Sequence, residues 1–68
     1  MPRYYFHVRR GQITVLDNSG IVLADTAAAE VEAARRAHGA SVSPAHAGQR
    51  GRIIVADHNW QTLFEVPF

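Results

Sequence analysis

Two pairs of short segments with period-two alternation flank a single alanine-rich stretch, and that arrangement leaves few folds open. Arg3 to Val8 sets Tyr4, Phe6 and Val8 on one side and Tyr5 and His7 on the other, as a half-buried strand does. Arg9-Arg10-Gly11 is a turn, because Gly takes positive φ freely. Gln12 to Leu16 alternates again, with Ile13 and Val15 against Thr14 and Leu16, and forms the hairpin partner. Asp17-Asn18-Ser19-Gly20 is a dense turn signal. Ile21-Val22-Leu23 then either extends the sheet or leads into the helix. Near the other end, Arg52 to Asp57 is a strand, with Ile53 and Val55 facing one way and Ile54 the other. His58-Asn59 is a two-residue turn, and Trp60 to Val66 returns as the last strand. Pro67-Phe68 follows, where Pro is tolerated at a strand end or edge.

The stretch from Ala27 to His38 is rich in the best helix former, and Asp25 or Thr26 can cap its start. Ala27, Val31, Ala34 and His38 share one helical stripe and are expected to face the sheet. Glu32 and Arg36 pair along the exposed side, and Gly39 is placed to end the helix. Ser43-Pro44 can open a further helical turn, and the Gly39–Gly51 segment has the composition of a loose connection. The expected architecture is α+β, in the order β-β-α-β-β, with one mainly antiparallel sheet and one helix on one face. It forms a single domain over residues 1–68.

A chain of 68 residues has room for one core, and a core of that size confers marginal stability. There is no cysteine, which excludes disulfides, thiolate metal sites and cysteine catalysis. No run approaches the roughly 20 apolar residues of a membrane helix, and Met1 to His7 lacks the pattern of a secretory signal. A cytoplasmic location, with no membrane partner, is the expectation. Seven arginines nearly balance six acids, for a net charge of +1. Arginine is the better phosphate fork, but the abundance of alanine beside it favours a GC-rich genome as the reason for the arginines.

Arg3-Tyr4-Tyr5-Phe6-His7-Val8 and Val66-Pro67-Phe68, with Asp17, Gly20, Leu23, Asp25 and Glu32-Ala33 between them, resemble a family of small uncharacterised bacterial proteins. The resemblance spans nearly the whole chain. It implies a domain of unknown function and brings no catalytic residues with it. The chain differs from the family pattern at Gly39 and Pro44, inside what is usually a longer helix. It differs again at Trp60, where family hairpins usually carry Gly.

His7, His38, His46 and His58 show no ligand spacing, so no metal or other cofactor is expected. The acids are scattered, Glu30 and Glu32 lie on different helix faces, and no serine sits in a nucleophile elbow. No catalytic residue is expected, and the chain is not an enzyme on this reading. His7 is expected to tie its ring to a neighbouring backbone group or carboxylate. Tyr5 and Trp60 beside Arg9, Arg10, Arg50 and Arg52 make a single-strand nucleic-acid binder, or an antitoxin-like regulator, the alternative function. The leading expectation is a non-catalytic interaction domain that forms a homodimer or binds another protein. One helix covers one sheet face, so Tyr5, His7, Ile54 and Leu63, with a partly exposed Trp60, are the expected interaction residues.

Overall fold

The computed structural model describes residues 1–42 and 50–68. Among these, the elements run β1 (Arg3–Arg10), β2 (Ile13–Val15), β3 (Ile21–Val22), α1 (Thr26–Val42), β4 (Gly51–Ala56) and β5 (Thr62–Pro67). The α+β plan holds, and Ile21-Val22 extends the sheet as a fifth strand. Every pairing is antiparallel, in the order β2-β1-β4-β5, with β3 against the opposite end of β1 from β2. No helix among the described residues is long and apolar enough to cross a membrane.

The first hairpin turns later than its sequence suggests. β1 continues through Arg9 and Arg10, and the reversal falls on Gly11-Gln12. Gly11 has φ 59° at the first central position, as a type II′ turn requires. β2 and β3 follow each other along one edge of β1, and the Asp17 turn fills the gap between them. Asp17 Oδ2 accepts the Phe6 N–H at 3.1 Å, and its Oδ1 accepts the N–H groups of Ser19 and Gly20, both at 3.0 Å. A side chain thus supplies the edge hydrogen bond that a strand would otherwise make. Gly20 has φ 69°, and a Cβ there would meet the Tyr4 carbonyl at 2.8 Å, so the turn needs glycine.

Asp25 is the helix cap, its Oδ1 accepting the Ala28 N–H at 2.9 Å. The helix stripe differs from expectation. Ala29, Ala33 and Ala37 are buried, whereas Ala27, Ala34 and His38 are exposed and Val31 is 72 % exposed. The buried stripe lies about a third of a turn from the expected one. The sheet explains the phase, because it presents Tyr4, Phe6, Ile53 and Val55, and large side chains are best met by small ones in a close-packed core. A stripe of alanines spaced four apart lets the helix backbone come close, and Val31 there would hold it away. The narrow helix leaves part of Phe6 to Arg36, whose guanidinium lies 4.6 Å from the ring centroid. Arg36 is therefore a half-buried packing residue, although it keeps its pairing with Glu32 at 2.6 Å.

Gly39 does not end the helix, which runs on to Val42. Nothing lies within 4 Å of where a Gly39 Cβ would be, and its φ is not positive, so it sits in the helix as an ordinary residue. Ser43-Pro44 and His46 lie outside the described residues, as does most of the connection expected over Gly39–Gly51. Past it, Gly51 pairs with the chain end, its N–H donating to the Phe68 carbonyl at 3.2 Å and its carbonyl accepting from the Phe68 N–H at 2.8 Å. A Cβ at Gly51 would collide with the Arg9 carbonyl and the Phe68 ring. The last strand starts at Thr62, and Trp60 precedes it in the loop.

Candidate interaction surfaces

Alternation from the core residues assigns the sheet face opposite α1. Phe6 pairs with Val55 and Val8 with Ile53 on the helix side, so the rungs Tyr5–Ala56, His7–Ile54–Glu65 and Arg9–Arg52–Pro67 lie on the other. The β5 register slips by one beside Ala56, leaving Leu63 as the extra residue of a bulge. Tyr5, His7, Ile54 and Leu63 are thus gathered near one another as expected, but they are not equally open. Leu63 is exposed, Tyr5 and Ile54 are half-buried, and His7 is buried, at 6 % exposure.

Trp60 accounts for much of that cover. Its ring stacks on Tyr5 with centroids 4.8 Å apart and on His7 at 5.3 Å, inclined by 21° and 7° respectively. The backbone that permits this is left-handed, with φ 62° at Trp60, a conformation in which bulky residues are rarely found. The loop around it is held by Asp57, whose Oδ1 accepts the N–H groups of Asn59 at 2.9 Å and Gln61 at 3.0 Å. Trp60 is nonetheless 52 % exposed, as the sequence predicts for a residue beside the last turn.

His7 is tied to the backbone, accepting the Asp17 N–H at Nδ1, 2.9 Å away. A backbone N–H can only donate, so Nδ1 carries the lone pair and the ring proton of the neutral imidazole sits on Nε2. His7 and Asp17 thereby latch the edge turn to β1 from two directions. Partial burial pushes the Asp17 carboxyl up. The N–H donors of Gly20, Phe6 and Ser19, with the charge of Arg36, outweigh that and hold it below its usual range.

Beyond His7, the same face becomes basic. A cleft of about 470 Å³ is lined by Arg9, Gly11, Arg50, Gly51, Arg52, Pro67 and Phe68. Arg52 is bonded to Glu65 at 2.7 Å, while Arg9 reaches the Gly11 carbonyl at 3.4 Å. Arg10, expected among this group, points to the helix side, with its guanidinium 5.4 Å from the Phe68 ring centroid. Among the described residues, no group of three or more His, Asp or Glu could hold a metal ion.

A further surface, at the β2 edge, is not among the residues singled out from the sequence. Ile13, Val15 and Leu16 are 69, 59 and 57 % exposed. The sequence signal was present in apolar residues on both sides of the alternation, on a strand at the end of a hairpin. A family model described as Domain of unknown function (DUF6894) matches residues 3–68. Comparison with curated proteins and with solved structures returned no match.

Proposed function

The chain belongs to the DUF6894 family, and from its own surface we propose that it is a non-catalytic interaction domain that self-associates through the β2 edge. The observation that carries the reading is the uncovered aliphatic edge of Ile13, Val15 and Leu16. In a two-residue hairpin the pair flanking the turn is hydrogen-bonded, here Arg10 with Ile13, and the pattern alternates from there. The N–H and C=O of Thr14 therefore point away from β1, ready to receive another strand. A two-fold antiparallel pairing centred on Thr14 sets Ile13 opposite Val15 of the partner subunit, and the reverse. The edge is thus complementary to itself, as a two-fold dimer interface must be. The open-face residues Trp60 and Leu63 form a smaller exposed patch, partly closed by the chain's own stacking.

Sedimentation tests this reading. Wild type should be a dimer at micromolar concentration, and Ile13→Lys with Val15→Lys should give a folded monomer, because like charges then face each other across the pair. Ile13→Glu with Val15→Lys should restore a dimer, now sensitive to salt. A wild-type chain that stays monomeric ends the proposal. So does a dimer that resists the double lysine variant but separates with Ile54→Glu plus Leu63→Lys, which would place the interface on the open face.

A further inference from the structure

We propose that the sheet face opposite α1 binds single-stranded nucleic acid, with phosphates held by Arg9 and Arg50 and a base stacked on Trp60. The proposal goes beyond self-association and does not depend on it, since the β2 edge and this face use different residues.

Three observations converge. First, the cleft at the end of the sheet is lined by three arginines and no acidic side chain. Arg9 and Arg52 face each other across adjacent strands, a like-charge rung that is unfavourable unless an anion lies between them. Glu65 satisfies Arg52 alone. Arg9 and Arg50 have no carboxylate partner among the described residues, and the guanidinium fork suits phosphate oxygens. Second, the same face carries a half-exposed indole fixed in place by its own stack on Tyr5 and His7. An aromatic ring already oriented loses little entropy when a base stacks on it. Third, the spacing suits an extended ligand. The rung of Tyr5, on which Trp60 lies, is four residues along β1 from the rung of Arg9. At roughly 3.3 Å per residue these two backbone rungs are about 13 Å apart. A ligand that touches both ends runs along the sheet, as an extended single strand does. Sheet faces with aromatic and basic residues bind single strands in the same way, with stacking for the base and charge for the backbone.

Trp60 is the sole tryptophan, so its emission reports directly on the site. A short oligouridine titrated at low salt should quench that emission and raise the anisotropy of a labelled strand. The slope of log affinity against log salt should fall by about one in Arg9→Ser, and likewise in Arg50→Ser. Trp60→Asn keeps a residue that tolerates positive φ, and it should weaken binding roughly 5- to 150-fold with the fold unchanged by circular dichroism. Failure of oligouridine to bind at low salt overturns the proposal. Equal binding of polyglutamate or inorganic polyphosphate, without a change in Trp60 emission, overturns it too, because the arginines would then act as a general anion site.

Discussion

The Asp17→Ala substitution tests how much of the domain depends on one side chain. Asp17 accepts three backbone N–H groups, and its own N–H is held by His7. Net contributions of hydrogen bonds to charged groups are about 1.5–3 kcal/mol each, and less where water can replace the partner. Ser19 is exposed and Gly20 is near the surface, so their N–H groups largely recover by hydration. The Phe6 N–H, on a strand whose side chain is in the core, does not. Counting it at about 2 kcal/mol and the other two together at about 1 gives a loss of roughly 3 kcal/mol. A core of this size rarely supplies more than about 3–5 kcal/mol, so the variant should sit near its unfolding midpoint at room temperature. In thermal terms the loss is a fall in Tm of roughly 20 °C. Asp17→Asn keeps one acceptor oxygen and should lose less, about 2 kcal/mol. The folded-state pKa of Asp17 is depressed, so its contribution is present above the ordinary carboxylate range and disappears as pH falls through the lowered value. Urea unfolding followed by circular dichroism at pH 7 and at lower pH measures both effects. A loss below about 1 kcal/mol for Asp17→Ala would refute the latch, because the Phe6 N–H would then have another partner.

The alanine seam and the helix carboxylate give further expectations. Ala33→Leu forces a larger side chain between α1 and the sheet and should cost about 1–3 kcal/mol, whereas Val31→Glu on the outer face should change stability by less than about 0.5 kcal/mol; the reverse order in urea melts would mean that the helix is turned otherwise. Hydrogen bonds from Arg35 and Arg36 hold the Glu32 carboxyl down to about 2. Glu32→Gln should therefore lower stability by under about 1 kcal/mol at pH 7, with the gap to wild type closing as pH falls from the ordinary carboxylate range toward 2, and a gap independent of pH would contradict the pairing.

The strands were legible because alternation carries phase. Tyr4-Phe6-Val8 and Ile53-Val55 differ from their neighbours in size, and the core took them as the pattern implies. The helix was legible as a helix but not in rotation. Alanine occurs on every side of it, so hydrophobicity holds little phase information, and Val31 biased the stripe toward bulk. The sheet selected by smallness instead, a criterion that exists only once the two layers meet. The role of His7 could be framed from sequence, but its partner could not, because the Asp17 N–H reaches it only after the turn folds back ten residues later. Trp60 was placed at the start of a strand, since its left-handed backbone is set by the Asp57 loop and by the rings beneath it. The exposed row at Ile13, Val15 and Leu16 resembled any hairpin strand, and its bareness followed from the helix lying over β4 and β5.

The break between β2 and β3 has a bearing on stoichiometry and solubility. An uninterrupted outer strand along β1 would offer a template of eight residues, long enough to seed open-ended growth. The Asp17 turn divides that border into pieces of three and two residues, with a polar loop where the middle would be. The opposite border, β5, carries a bulge at Leu63, a charge at Glu65 and a proline at Pro67, all of which discourage strand addition. Among the described strands, two short pieces on one border and a guarded other border disfavour lateral stacking. In the proposed pairing through Thr14, each copy would use the three-residue piece and leave along that border only the two residues of β3, which favours a pair over open-ended growth.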